Sequence, residues 1–264
     1  MYKLVAIDID DTLMDSRGRI SPATRAALAR AAGRGAIITL ATGRMFASAA
    51  KVADELGLDV PLITYQGSLV KHAMSGEVLY ERHLPPDAAL KVYEHCRKAG
   101  LHLQAYVDDR LIVAEDNDKV RAYSANSAVP FEVAADFAAV VRKPQTKLLI
   151  IDEPDVLDGL LVHFRRLFGE SVQITKSKPH YLEFTHPEGT KGHALRFLAA
   201  HYGISAAETM AFGDSWNDRD MLEAAGFAVA MGNAVPELKQ IADLVAPSND
   251  EEGVRHVIER YLLQ

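Results

Sequence analysis

The chain has 264 residues, 48% apolar and 25% charged, the balance of a folded globular protein rather than a disordered or fibrous one. A formal net charge of −7 disfavours nonspecific grip on a nucleic-acid backbone, and the single cysteine, Cys96, excludes an intrachain disulfide and a cysteine-based zinc site. No apolar run approaches the ~18 residues of a membrane helix, and Asp8, Asp10 and Asp11 interrupt the apolar opening where a secretory signal would continue. The expectation is therefore a cytoplasmic protein with no nucleic-acid or membrane partner.

In chain order, Leu4 to Ile9 reads as a buried strand, and Ser21-Pro22 opens a helix over Ala23 to Ala32 that Gly33 ends. The same grammar repeats as strand Ala36 to Ala41, helix Met45 to Leu56 with Gly57 as its stop, and strand Pro61 to Tyr65. Ser68 to Lys71 and Glu77 to Tyr80 flank Ser75-Gly76 as a hairpin that does not continue a parallel sheet directly. A mixed block follows: helix Asp87 to Ala99, strands His102 to Val107 and Leu111 to Ala114, helical segments around Lys119 and Ala135, and strand Lys147 to Ile151. Helix Asp155 to Phe168 and strands Ser171 to Lys176 and Tyr181 to Thr185 complete it. The strand-helix grammar then returns with helix Lys191 to Tyr202, strand Thr209 to Phe212, helix Trp216 to Ala225, strand Phe227 to Ala230, helix Pro236 to Ile241 and a last helix near Glu252 to Leu263.

This pattern predicts an α/β protein: a doubly wound parallel sheet core, Rossmann-like, interrupted by an inserted α+β domain. The core is expected over residues 1–80 and 188–264, and the insertion over 81–187.

In such sheets ligands bind beyond the carboxyl ends of the strands, so the polar residue after each apolar run is a candidate. Asp8, Asp10 and Asp11 crowd the first strand end, and carboxylates so close need a cation or a proton between them. A hard divalent ion such as Mg2+, with Asp214 from a later strand end, suits this set, and an aspartate can also attack phosphorus as a nucleophile. A single aspartate there equally suits a turn. Thr42 and Gly43 offer a hydroxyl and free backbone N–H groups for phosphate, although Thr42 alone also reads as a helix cap. Arg44 reads as a surface charge. Lys191, in the first turn of a helix, opposes the macrodipole and calls for an anion beside it, unless it is simply solvated. Asp214 could cap the following helix; with Asn217 and Asp218 it instead resembles a metal loop and its support. Trp216 reads as a packing residue.

In this order, Asp8-Ile9-Asp10-Asp11-Thr12-Leu13, Ala41-Thr42-Gly43-Arg44, Lys191-Gly192 and Gly213-Asp214-Ser215-Trp216-Asn217-Asp218 resemble the four motifs of the haloacid-dehalogenase-like hydrolase superfamily, and more narrowly its Cof-type phosphatases. The resemblance implies Asp8 as nucleophile and Asp10 as general acid/base. It implies Mg2+ held by Asp8, the main chain of Asp10, and Asp214, with Asp218 supporting that loop. Thr42, Gly43, Lys191 and Asn217 are implied to bind the phosphate. It also implies that the insertion is a cap that sets substrate choice, with His180, Tyr181 and Glu183 as candidates facing the leaving group, although Tyr181 and Glu183 also simply alternate along a strand. The implied substrates are small phosphorylated metabolites, either sugar phosphates or phosphorylated cofactors such as flavin mononucleotide or pyridoxal phosphate. Three departures stand out: Asp11 and Gln66 occupy places where the family usually has glycine and asparagine, and Gly189 sits one place nearer the lysine than usual. A phosphomutase or phosphotransferase uses the same residues, and receiver-type signalling modules combine similar ones in another order.

Overall fold

The computed structural model describes residues 2–264. β1 (Leu4–Asp8) is followed by α1 (Pro22–Gly33), β2 (Ile37–Ala41), α2 (Phe46–Leu56) and β3 (Pro61–Thr64). The Ser21 side chain accepts from Thr24 N–H and Pro22 occupies the first turn, so α1 begins where a cap and a preset φ coincide. A hairpin, β4 (Leu69–His72) and β5 (Val78–Glu81), comes next. It extends the same sheet as an antiparallel edge beside β3.

The chain then builds a second sheet. Its elements are α3 (Pro86–Ala99), β6 (Leu103–Val107), β7 (Arg110–Val113), α4 (Asp118–Ser127), β8 (Phe131–Val133), α5 (Phe137–Val141), β9 (Lys147–Ile151), α6 (Pro154–Phe168), β10 (Gln173–Lys178) and β11 (Tyr181–Thr185). The strand order is β10-β11-β9-β6-β7-β8. The helix expected around Ala135 starts later. Phe131 to Val133 pair with β7 as a strand, and the Asp136 side chain caps α5 by accepting from Ala139 N–H, leaving Ala135 in the link.

The return to the first sheet runs through α7 (Lys191–His201), β12 (Thr209–Gly213), α8 (Arg219–Ala224), β13 (Phe227–Ala230), α9 (Pro236–Ile241), β14 (Leu244–Val245) and α10 (Gly253–Leu262). The first sheet is ordered β14-β13-β12-β1-β2-β3-β4-β5, parallel from β14 to β3. β1 is central and buried on both faces, as its unbroken apolar run requires.

Separate apolar clusters fill the two sheets. One packs β1, β2, β12 and their helices, including Leu4, Ile7, Leu40, Phe212 and Val257. The second lies between the second sheet and α3, α5 and α6, including Val92, Leu148, Phe164 and Phe184. A third joins them: Met45, Tyr65 and Leu69 from the first sheet's side meet Tyr106, Tyr123 and Leu149 from the second. Among the described residues, no helix is long and apolar enough to cross a membrane.

Candidate active site

The chain leaves β1 toward β2 on one side, and β12 leads to β13 on the other, so the ends of β1 and β12 flank the point where the winding reverses. Asp8 is the last residue of β1, Thr42 follows β2 and Asp214 follows β12. All three line a cavity of about 440 Å³ between the two sheets.

Lys191 is fully buried at the first position of α7, after the cap residue Thr190. Its Nζ donates to Asp8 Oδ1 and to Asp218 Oδ1, both at 2.5 Å. The anion that a first-turn lysine calls for is thus supplied by the protein itself. Burial alone would depress the ammonium; the two carboxylates override it and hold the lysine charged. Burial pushes the Asp8 carboxyl well above its ordinary range, Lys191 opposes this, and repulsion from Asp218, Asp214 and Asp10 adds to it. One ammonium shared among so many carboxylates leaves the cluster with excess negative charge.

Asp218 is fully buried, and its Oδ2 accepts from the N–H groups of Asp214 and Ser215 at 3.0 and 3.1 Å. Ser215, not Asp214, caps the turn Trp216–Asp218. The Asp214 side chain is therefore available to the cavity, with Oδ1 accepting from the Thr12 hydroxyl at 2.8 Å. Burial and the Asp218 charge push its carboxyl up to about 7. Oxygens of Asp8, Asp214 and Asp218 lie within 4.8 Å of one another. Hard oxygen donors at this spacing, two of them with a displaced proton equilibrium, fit a divalent cation such as Mg2+.

Asp10 meets Arg44, the residue that sequence reasoning set aside as a surface charge. Arg44 Nε donates to Asp10 Oδ2 at 2.9 Å and Nη2 to Oδ1 at 2.7 Å. Burial would raise the Asp10 carboxyl, but hydrogen bonding and charge from Arg44, helped by Lys178 and Lys191, hold it below its ordinary range. The usable signal was position: Arg44 lies two residues past Thr42 at a strand end. Asp11 adopts φ 58°, the left-handed region where glycine is at ease and aspartate is tolerated.

Thr42 is buried and its Oγ1 accepts from Arg44 N–H at 3.1 Å, while α2 starts from Met45, so the hydroxyl is not a helix cap. Gly43 packs closely on Gln66: a Cβ there would fall 2.4 Å from Gln66 Nε2, so a larger residue would displace that side chain. Its carbonyl accepts from Lys147 Nζ of β9 at 2.8 Å.

Gln66 belongs to a run of left-handed backbone, Tyr65 at φ 52°, Gln66 at 63° and Gly67 at 110°. A bulky residue held there is strained, and such strain persists where surrounding contacts fix it. Gln66 donates to Glu183 of β11 and accepts from Asn217 Nδ2 at 3.1 Å. Asn217 thus lines the cavity while bonded to Gln66. Glu183 Oε1 in turn accepts from Lys147 Nζ at 2.7 Å, and both members of this ion pair are almost fully buried. The contacts of Gln66, which stands where the family usually has asparagine, therefore tie the two sheets together.

Tyr181 lines the cavity beside Tyr123, ring centres 5.7 Å apart, and burial raises its hydroxyl to about 12. His180 differs from expectation. It is exposed in the turn between β10 and β11, with Nδ1 3.1 Å from the Asp152 carbonyl, and does not line the cavity. The side chains of β11 alternate, so Tyr181 and Glu183 share the cavity face and the neighbouring Leu182 and Phe184 enter the apolar cluster behind it.

A family model of haloacid dehalogenase-like hydrolases matches residues 5–258. The chain belongs to that family. The HMP-PP phosphatase of Cronobacter sakazakii is 33% identical over 266 residues, 99% of this chain and 96% of the relative. The crystal structure of TM0651 from Thermotoga maritima superposes with a TM-score of 0.87 at 35% identity, covering 98% of this chain and 97% of that one. The HAD subclass IIB sugar phosphatase BT4131 superposes with a TM-score of 0.86 at 26% identity, covering 98% of each chain.

Proposed function

We propose that this hydrolase is a Mg2+-dependent phosphatase that releases phosphate from small phosphorylated metabolites through an aspartyl-phosphate on Asp8. The observation that carries the reading is the buried Asp8 carboxylate at the end of β1, held through one oxygen by Lys191 and opening on a cavity that also contains Asp10. Names of relatives support the substrate class: HMP-PP in one case, sugar phosphates in another. Phosphorylated cofactors such as flavin mononucleotide or pyridoxal phosphate belong to the same size range.

In this mechanism the free Asp8 oxygen attacks phosphorus while Lys191 fixes the other, and the ester P–O bond breaks as Asp10 protonates the leaving oxygen. Asp10, now a carboxylate, takes a proton from water, whose oxygen attacks the aspartyl-phosphate, releasing phosphate and restoring Asp8. The Arg44 pairing favours the carboxylate form of Asp10 that the second step uses. For the first step, the incoming phosphate dianion competes for the guanidinium and loosens that pairing, so that the buried Asp10 carboxylate takes up from solvent the proton it then gives to the leaving oxygen. Thr42 and the backbone N–H groups around Gly43 face the phosphoryl oxygens. Asp8 and Asp214, steadied by Asp218, would hold Mg2+, which supplies positive charge to those oxygens when bound.

Residues 81–187, carrying the second sheet, act as a cap that closes the site, and residues 1–80 and 188–264 form the catalytic core. The single buried thiol, Cys96, suits a reducing cytoplasm. The test is phosphate release from a panel of phosphorylated metabolites with and without Mg2+. Release that needs the metal supports the reading. Release undiminished after thorough chelation contradicts the metal's part, and transfer of phosphate to an added sugar in preference to water would make the enzyme a phosphotransferase.

A further inference from the structure

β10 and β11 pair with Gln173 opposite Thr185, Ile174 opposite Phe184, Thr175 opposite Glu183 and Lys176 opposite Leu182. Continued in register, Ser177 would face Tyr181. Instead Lys178 does, so Ser177 is an extra residue, a β-bulge. Because side chains alternate with period two, one inserted residue moves everything after it to the other face. Lys176 lies before the bulge on the outer face, where it pairs with Asp158 of α6 at 2.5 Å. Lys178 would follow it there in an unbroken strand. The bulge turns Lys178 to the inner face, beside Tyr181 and along the cavity wall.

The charge balance of that wall makes the placement informative. The cap contributes neutral groups, including Tyr123, Asn126, Ser127 and Tyr181, and two charged ones, Lys178 and Glu183. Glu183 is neutralised by the buried Lys147 ammonium. On the core side Arg44 is engaged by Asp10, and Lys191 by Asp8 and Asp218. Lys178 is exposed to the cavity, and its ammonium forms no ion pair or hydrogen bond among the described residues. Its charge reaches Asp10 across the cavity, but among the described residues no carboxylate is bonded to it, which leaves its ammonium free to meet an anion on the cap side of the cavity.

We propose that Lys178 is a specificity-determining residue that binds a second anionic group on the leaving part of the substrate, so that the preferred substrates are small phosphoesters carrying a carboxylate or a further phosphate. The inference rests on the phosphatase reading and adds to it the charge of the leaving group. An exposed lysine re-aimed by a bulge contributes through a charge-assisted hydrogen bond, which favours a matching anion over a hydroxyl by about tenfold.

The experiment compares kcat/KM within two matched pairs, phosphoglycerate against glycerol phosphate and a hexose bisphosphate against the hexose monophosphate, for the wild type, Lys178→Gln and Lys178→Arg. The expected result is a wild-type preference for the more anionic member of at least one pair. That preference falls about tenfold in Lys178→Gln, chiefly through KM, returns in Lys178→Arg, and weakens as salt is raised. The pair in which it falls tells carboxylate from phosphate. A parallel loss on both members, which would place Lys178 on the transferred phosphoryl group instead, overturns the proposal, as does an unchanged ratio in both pairs. Turnover of p-nitrophenyl phosphate by the wild type separates the two claims: if it is present and the ratios do not move, only the Lys178 assignment fails; if it is absent, the phosphatase reading fails and takes this assignment with it.

Discussion

Arg44 grips both oxygens of Asp10 across the mouths of β2 and β1, at 2.9 and 2.7 Å. A two-point guanidinium contact fixes orientation as well as charge. Asp10 is therefore held as a carboxylate, pointed into the cavity, until an anion competes for the arginine.

Replacing Arg44 with methionine removes the cation that depresses the Asp10 carboxyl, so that carboxyl rises toward and past its ordinary range. If the carboxylate is needed to activate water, activity is lost on the acid side as Asp10 protonates, and the acid limb of the kcat profile moves to higher pH in Arg44→Met. An acid limb that stays in place while kcat falls at every pH would show that Arg44 serves binding alone.

The buried Lys147–Glu183 pair makes a second prediction. Removing one partner strands the other charge away from water, and Lys147→Met is expected to destabilise the protein around the second sheet by about 3–5 kcal/mol. Adding Glu183→Gln to Lys147→Met restores most of that loss, because no buried charge is then left unpaired. Urea unfolding followed through the tyrosines of the second sheet and its helices measures both; a double variant no better than the single one would mean that the pair stabilises through packing rather than charge.

The acidic cluster links stability to metal and pH. The Asp214 carboxyl sits at about 7 against an ordinary 3.8, so without a cation the folded protein binds this proton more tightly than the unfolded chain does. That contribution is fully present below about pH 4 and is lost as pH rises through about 7. Mg2+ competes with the proton, and the rise in thermal midpoint on adding Mg2+ is expected to be small near pH 5 and large near pH 8. An equal rise at both would place the metal away from Asp214.

Much of the site could be read from the sequence because it obeys one local rule: Asp8, Thr42 and Asp214 each stand at the end of a short apolar run, where a parallel sheet exposes its ligand edge. What could not be read depends on pairings between distant segments. Thr12 reaches Asp214 across 202 residues and Gln66 reaches Glu183 across 117, and neither partner bears a local mark of the other. Arg44 looked solvated because a charge after a glycine is ordinary; only the adjacency of β1 and β2 brings Asp10 to it. His180 and Tyr181 are neighbours in sequence, yet the turn at His180 sends the histidine outward and the strand that begins at Tyr181 sends the tyrosine inward. The bulge at Ser177 is likewise a property of the β10 and β11 register, invisible until both strands are paired.

The central claim, that Asp8 carries the phosphoryl group, is tested most directly by acid-quenching the enzyme during turnover of an ester labelled in its phosphoryl group. Asp10→Asn serves alongside the wild type, since its slowing by about 10²- to 10⁴-fold draws out the intermediate. The account predicts protein-bound label in the peptide containing Asp8, released by hydroxylamine as an acyl phosphate should be, and absent from a folded Asp8→Asn variant that has lost turnover. Phosphate release by the wild type with no protein-bound label, together with near-normal turnover by Asp8→Asn, would contradict it.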